Sequence, residues 1–349
     1  MQAEKRTRLM RMGGAFTGLA VAVLLLFFID EDKQVQTTYF ANRGKVFGTY
    51  YTIRYEAASD MEDSIKAALQ AFDNSLSMFN PHSTLSAINA NRDTATDAFF
   101  ETMFAEAQRV YALSDGAFDI TVAPLVNLWG FGSKGRNDNG QWTIDEHAID
   151  SLRQFVGLDK VQLANHRIIK ADPRMQLDAG AVAKGQSCDV IAELLRRNGC
   201  KNYLVEIGGE VVCRGVNAKG DKWHIGITKP TENDGSQQSK LQEIIEVSDI
   251  CMATSGNYRN FYYDGEQKRS HTIDPRTGKP VEHSLLSATV ISSSCMRADA
   301  MATASMVLGE EKAMEMIARA GDAACYFIVA RGDSTIVITS PNWEKMLQK

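Results

Sequence analysis

Apolar and polar positions divide this chain into an apolar N-terminal run and a longer part that mixes helical and strand periodicities. Apolar residues that recur at three- and four-residue steps predict helices, over about 60–77, 97–113, 146–156, 181–197, 297–308 and 310–319. Alternating apolar and polar residues predict strands, over about 45–55, 202–207, 210–214, 223–228, 243–252, 259–264, 269–274, 285–293, 323–330 and 334–339. Because helices and strands do not alternate in βαβ units, the pattern predicts an α+β fold with antiparallel sheets and packed helices.

Turn and capping residues indicate where several elements begin and end. Thr143 followed by Glu146 fits a capping box that opens the helix near 146–156. Asp264-Gly265 is a typical hairpin turn. No predicted strand is followed by a G-x-G-x-x-G loop, which makes a Rossmann dinucleotide site improbable.

The apolar run from Met12 to Ile29 is flanked by charges of opposite sign. Four basic residues precede it and three acidic residues follow it, which predicts an N-terminus in the cytoplasm. We therefore divide the chain into a cytoplasmic basic flank at 1–11, a signal-anchor transmembrane helix at 12–29, a polar tether at 30–42 and one folded domain at 43–349. A cleavable signal peptide is the alternative, although the apolar run continues beyond the small residues Ala20-Val21-Ala22. Either reading predicts a domain on the outer face of the cytoplasmic membrane.

Composition narrows the class of protein. Apolar residues make up 44% of the chain and charged residues 23%, which excludes wholesale disorder. The net charge of -5 and the lack of a basic stripe argue against a nucleic-acid partner. The six cysteines show no C-x-x-C spacing and mostly lie in apolar runs, so buried thiols are favoured over disulfides, and a zinc site is improbable. No cysteine precedes Cys188, so the N-terminal segment has no lipoprotein-type anchor.

Two segments combine glycine with aromatic or charged residues in a way typical of ligand sites. Residues 115–121 (DGAFDIT) lead into 124–132 (PLVNLWGFG), where aromatic rings and glycine suit a planar ring system, although a helix end followed by a packed loop fits as well. Residues 177–185 (LDAGAVAKG) lie at the start of the predicted long helix. Free N–H groups there favour phosphate, and Lys184 adds a charge. Asp178 also fits a simple N-cap.

Two further segments contain residues suited to proton transfer and metal binding. Residues 270–280 (SHTIDPRTGKP) place His271 beside a glycine turn, where a catalytic and a structural role are equally consistent. Asp274 fits a turn cap in the same segment. In residues 297–304 (RADAMATA), Asp299 and Thr303 are four residues apart and share one helix face. Together they offer two oxygens to Mg²⁺, although helix capping by Asp299 and packing by Thr303 also account for them.

Taken in order, these segments resemble the FAD:protein FMN transferases, the ApbE-type flavin transferases. The resemblance covers nearly all of the chain from Gly44 onward. It rests on motifs at 44–49 (GKVFGT), 115–119 (DGAFD), 124–132 (PLVNLWGFG), 178–185 (DAGAVAKG), 206–209 (EIGG), 254–259 (TSGNYR), 271–278 (HTIDPRTG) and 298–304 (ADAMATA). Each motif alone is weak, whereas eight in the same order are specific.

The resemblance implies a T-fold-like α+β domain with one FAD site and a divalent metal, normally Mg²⁺. In similar enzymes the metal is held at the positions of the Ala181 carbonyl, Asp299 and Thr303. The positions expected to contact FAD are Phe47, Phe79, Ala117, Phe118, Asp119, Asp178, Lys184 and the backbone of Ile273. Phe47 departs from the family pattern, in which methionine is common at this position.

The resemblance also implies a reaction, in which FMN passes from FAD to a threonine (or serine) hydroxyl of a target protein and AMP is released. We assign His271 to take the hydroxyl proton or orient the phosphate, and Asp299 to the catalytic metal. The implied acceptors are subunits of membrane redox complexes of the Na⁺-translocating NADH:quinone reductase and Rnf types. The N-terminal anchor would place the enzyme on the periplasmic face of the same inner membrane.

Two alternatives remain open. The same site with water as acceptor would be a Mg²⁺-dependent FAD pyrophosphatase, recognised by FMN and AMP that accumulate without an acceptor protein. A non-catalytic exported FAD-binding module is the other alternative. Asp299, Thr303 and His271 argue against it, because simple binding does not require a metal pair and a histidine.

Overall fold

The computed structural model describes residues 37–132, 144–230, 241–257, 261–264 and 267–348. Residues Thr38–Lys349 form one compact unit. The apolar run at 12–29 lies outside the described residues. Among the helices that are described, none is long and apolar enough to cross a membrane.

The helices of the described chain include all six that the sequence predicts, with small shifts at their ends. They are α1 Glu62–Leu76, α2 Thr84–Asn89, α3 Ala98–Leu113, α4 Ala123–Leu128, α5 Glu146–Arg153, α6 Ala183–Arg197, α7 Cys295–Leu308, α8 Glu310–Ala320 and α9 Trp343–Leu347. Asp145 caps α5 by accepting a hydrogen bond from the backbone N–H of His147, and Thr143 of the predicted capping box lies outside the described residues. Ser294 caps α7, so Asp299 does not have the capping role that the sequence left open.

The strands pair antiparallel throughout the described chain. They are β1 Thr38–Val46, β2 Thr49–Ala57, β3 Val161–Ala164, β4 Arg167–Lys170, β5 Tyr203–Ile207, β6 Glu210–Arg214, β7 Trp223–Thr228, β8 Leu241–Val247, β9 Ile250–Gly256, β10 Phe261–Asp264, β11 Gln267–Ser270, β12 Ile273–Asp274, β13 Lys279–Pro280, β14 Leu285–Ser292, β15 Ala324–Arg331 and β16 Ser334–Thr339. Eight of them form one sheet in the order β1-β2-β5-β6-β9-β14-β15-β16, and the others form two-stranded hairpins. The predicted α+β fold with antiparallel sheets and packed helices is confirmed.

The first hairpin differs from the prediction of a tether at 30–42 followed by one strand at 45–55. Thr38–Val46 pairs along its whole length with Thr49–Ala57, so the sheet begins inside the predicted tether. Positive φ angles of 50° at Phe47 and 74° at Gly48 form the turn, as a two-residue hairpin requires. β1 is an edge strand with mostly exposed or half-buried side chains, and its sequence therefore lacks the apolar–polar alternation that predicts a strand.

The predicted strand at 243–252 is also two strands. Leu241–Val247 pairs with β7 in a separate hairpin, whereas Ile250–Gly256 joins the main sheet between β6 and β14. Asp249, at a φ of 45°, turns the chain between them. Apolar residues lie close on both sides of this two-residue turn, which explains why the pattern predicts one strand.

The two faces of the main sheet are covered by different elements. On one face, α6 packs Ile191 and Leu195 against Ile53 and Val205 of the sheet. On the other face, the β7–β8 hairpin packs Trp223 and its neighbours against the sheet. The β5–β6 turn, the C-terminal end of β9 and the beginning of α6 all line one cavity.

Candidate active site

A cavity of about 900 Å³ runs along the ends of the central strands. Ten of the twelve residues that the sequence assigned to the site line it. They are Ala117, Phe118, Asp119, Asp178, Ala181, Lys184, His271, Ile273, Asp299 and Thr303. Segments separated by up to 186 positions in the chain thus meet at one cavity, as the resemblance implied.

The other two residues, Phe47 and Phe79, do not line this cavity. The Phe47 ring turns into the core and lies edge-on to Phe72, with 5.5 Å between ring centroids. Phe79 is 67% exposed, and its backbone N–H donates to the Ser77 hydroxyl in the turn after α1. Their assignment to FAD stays a prediction. Phe47 is partly buried and packs against the hydrophobic core.

Gly185 allows α6 and α7 to approach each other at the cavity wall. A Cβ at this position would lie 2.3 Å from the carbonyl oxygen of Cys295 and 2.8 Å from Cβ of Asp299. The Gly185 N–H donates to Asp299 Oδ2 at 3.0 Å. One of the N–H groups that the sequence offered to phosphate is therefore already used to hold the Asp299 carboxylate.

We expect Gly185→Ala to reduce stability by about 1–3 kcal/mol, because the added methyl group overpacks a contact with fixed backbone. It should also weaken FAD binding by displacing Asp299. Denaturant unfolding and FAD fluorescence titration measure the two effects. Glu193→Ala is the matched control on the same helix, since its exposed ion pairs contribute less than about 1 kcal/mol. Wild-type stability in Gly185→Ala would contradict the proposed tight approach.

Lys184 lines the cavity and lies between two carboxylates. Its Nζ donates to Glu210 Oε1 at 2.5 Å and lies 3.8 Å from Asp299 Oδ1. Burial acts to lower the pKa of Lys184, but the Asp299 and Glu210 charges outweigh it and keep the pKa above its usual value. Burial raises the pKa of Glu210, and the nearby Lys184 ammonium opposes this rise. Lys184 therefore stays a cation in the cavity wall.

The two acidic residues assigned to FAD contacts, Asp119 and Asp178, both accept hydrogen bonds from the protein itself. Asp178 Oδ1 accepts the Gly180 N–H at 2.7 Å, and the residue at the N-cap of α6 is Val182, so Asp178 is not the cap. Both oxygens of Asp119 accept hydrogen bonds, from Thr121 on one side and from the Leu158 N–H on the other. Burial raises the pKa of both carboxyl groups.

His271 lies between β11 and β12 and lines the cavity. Its ring lies edge-on to Phe131, with 6.3 Å between ring centroids. The following turn is held by Asp274, which accepts from the Arg276 N–H at 2.9 Å, so the predicted turn cap is confirmed. Trp129 Nε1 donates to the Gly278 carbonyl at 2.8 Å and ties the aromatic segment to this turn.

The residues assigned to magnesium suit a hard cation. Asp299 and Thr303 lie one turn apart on α7, and Ala181 lies just before α6, all at the cavity. The Thr303 hydroxyl is 3.1 Å from the Ser255 hydroxyl. Asp299 Oδ1 is 3.8 Å from Nζ of Lys184. Among the described residues there is no group of three His, Cys, Asp or Glu side chains that could hold a metal. Mg²⁺ usually binds through one or two carboxylates with phosphate and water, which this oxygen set can accommodate.

Glu210 was not predicted from the sequence, although it lines the cavity and pairs with Lys184. A hairpin turn with positive φ at Gly208 and Gly209 pairs Glu210 with Ile207 and brings it back beside α6. The adjacent EIGG motif is the signal that could have identified it. All six cysteines are free thiols, in agreement with the preferred interpretation.

Comparisons with known proteins identify the family. A family model described as the ApbE family matches residues 47–327. A Vibrio cholerae protein named FAD:protein FMN transferase is 36% identical and covers 95% of this chain and 99% of its own length. An Escherichia coli K12 protein with the same name is 33% identical, with coverage of 95% and 98%.

Solved structures show the same fold. The flavin transferase ApbE from Vibrio cholerae has a TM-score of 0.79 at 35% identity and covers 89% of this chain and 99% of its own. The apo form of the Pseudomonas stutzeri flavinyl transferase ApbE has a TM-score of 0.78 at 31% identity, with coverage of 90% and 98%. The chain belongs to the ApbE family.

Proposed function

We propose that this chain is a Mg²⁺-dependent FAD:protein FMN transferase. It takes FMN from FAD, attaches it to a threonine (or serine) hydroxyl of a target protein and releases AMP. The observation that carries the proposal is that one cavity contains Lys184, the Asp299–Thr303 pair and His271. A cation, an oxygen ligand set and a titratable imidazole are the groups that phosphoryl transfer at a pyrophosphate requires.

The reaction divides between positioning and proton transfer. The acceptor oxygen forms a bond to the phosphorus of the FMN half, the bridging P–O bond breaks, and AMP leaves with the bridging oxygen. An imidazole nitrogen of His271 accepts the hydroxyl proton. Lys184 offsets negative charge on the phosphates, and Phe118 and Phe131 offer apolar surface to a planar ring. Mg²⁺ held by the Ala181 carbonyl, Asp299 and Thr303 would supply further charge neutralisation.

The proposed location and partners follow from the N-terminal sequence and the family resemblance. A signal anchor at 12–29 would tether the domain to the periplasmic face of the inner membrane. The proposed acceptors are flavin-carrying subunits of membrane redox complexes of the NADH:quinone reductase or Rnf type. Both substrates would then meet on one membrane face.

The decisive assay combines the full chain, FAD, Mg²⁺ and a flavin-acceptor domain that carries the target threonine. We expect intact mass measurement to show FMN added to the acceptor, and we expect EDTA to abolish the addition. An acceptor with threonine replaced by alanine is the matched control. Addition that persists in EDTA would contradict the metal assignment.

The same assay separates the alternatives. Free FMN and AMP without modified acceptor would indicate a pyrophosphatase, in which water replaces the hydroxyl. FAD that binds but stays intact would indicate a binding module. Either result would replace the transferase proposal.

A further inference from the structure

Glu210 is a buried carboxylate at the cavity whose two oxygens have different surroundings. The residue is 2% exposed. Oε1 accepts the Lys184 ammonium at 2.5 Å. Oε2 is buried and has no hydrogen-bond partner among the described residues. A buried acceptor without a partner costs stability, so its retention in the cavity wall suggests a functional reason.

The chain keeps the space beside this carboxylate open. A Cβ on Gly208 would lie 3.3 Å from Glu210 Oε2 and 3.2 Å from Cδ of Lys184. Gly208 also has a φ of 65°, which favours glycine. The glycine at this turn therefore leaves room for both charged side chains in the cavity wall, where Lys184 is partly exposed and Glu210 is buried.

Lys184 has one close and one distant carboxylate. Glu210 Oε1 is 2.5 Å from its Nζ, and Asp299 Oδ1 is 3.8 Å away. Asp299 is also the residue assigned to the metal, and a carboxylate that coordinates Mg²⁺ has less charge to offer to an ammonium. Glu210 is not assigned to the metal and is the closer of the two carboxylates, so it would stay the partner of Lys184 with and without bound Mg²⁺. Without Glu210, the ammonium would be drawn to Asp299 and would compete with the metal for it.

We propose that Glu210 is a positioning residue that holds the Lys184 ammonium away from Asp299 and presents its charge to the ligand phosphates. This inference rests on the proposed function, because it concerns how the same site binds FAD and its metal. Glu210 acts through Lys184 and need not contact the reacting atoms. Its contribution therefore depends on Lys184 being present.

A double-mutant cycle on FAD binding tests the inference. FAD fluorescence gives the Kd in EDTA and the Mg²⁺ concentration at half-saturation, for the wild type, Glu210→Gln, Lys184→Met and the double variant. We expect Glu210→Gln to raise the FAD Kd about tenfold, as for loss of a charge-assisted hydrogen bond. It should also raise the Mg²⁺ half-saturation concentration. In the Lys184→Met background the same substitution should change neither value, which is the signature of coupling.

Two further variants keep the outcome interpretable. Glu106→Gln is the matched control, because Glu106 is a buried carboxylate paired with Arg109 outside this cavity; it should lower the melting temperature without changing the FAD Kd. If Glu210→Gln does not fold, Glu210→Asp preserves the charge but withdraws it from Nζ, and it should give a smaller shift in the same direction.

Additive effects of Glu210→Gln and Lys184→Met would overturn the inference. An unchanged Mg²⁺ half-saturation in Glu210→Gln would overturn it as well. The cycle needs no acceptor protein, so its outcome is separate from that of the transfer assay. Coupled binding effects in a chain that never modifies an acceptor would sustain the role of Glu210 and refute the transferase.

Discussion

Asp299→Asn should lower Mg²⁺-dependent FMN transfer by about 10³-fold, since a charged metal ligand contributes about 4 kcal/mol to transition-state stabilisation. The substitution preserves the shape of a side chain that is 2% exposed. The asparagine oxygen can still accept the Gly185 N–H. The substitution therefore removes only the negative charge of the Asp299 side chain. The rate of acceptor modification, measured across a Mg²⁺ titration, shows the effect of this loss on transfer.

Asp189→Asn separates loss of the metal ligand from loss of packing. Asp189 is half-buried on α6 and accepts the N–H groups of Cys295 and Met296 at the start of α7. It therefore supports the same helix pair without lining the cavity. We expect this control to lose stability and to keep its normal Mg²⁺ dependence. A normal Mg²⁺ titration in Asp299→Asn would refute the assignment of Asp299 to the metal.

Residues that act through local sequence motifs were predictable. Asp299 and Thr303 share a helix face because of their spacing, and Lys184 begins a helix that the apolar period identifies. The turn role of Asp274 follows from its place before proline and glycine. These assignments depend on neighbours within about five residues, where spacing alone determines geometry.

Residues that act through tertiary packing were harder to predict. Glu210 reaches Lys184 only because the β5–β6 hairpin folds onto α6, and the sequence does not show which elements pack together. The N–H of Gly185 is occupied by Asp299, which is 114 positions away. β1 lies at a sheet edge, where Asn42 is its one buried residue, and therefore lacks the alternation that identifies a strand.

His271→Ala should retain FAD binding and lower FMN transfer by about 10²–10⁴-fold, the usual range for loss of a general base. The ring lines the cavity that contains Lys184 and Asp299, and it packs edge-on to Phe131. Because the metal ligands and Lys184 remain, the FAD Kd should change little. FAD fluorescence titration and single-turnover transfer to the acceptor measure the two properties separately.

His224→Ala is the matched control for this variant. His224 lines the same cavity from β7 and lies 3.2 Å from Glu246, on the sheet face opposite α6 and α7. It should therefore retain transfer within about threefold, less than 1 kcal/mol of activation free energy. If His271→Ala transfers FMN at the wild-type rate, an imidazole at this position is not part of the mechanism. If it loses FAD binding in proportion to transfer, His271 acts in substrate positioning, and the proton acceptor must be sought elsewhere in the cavity.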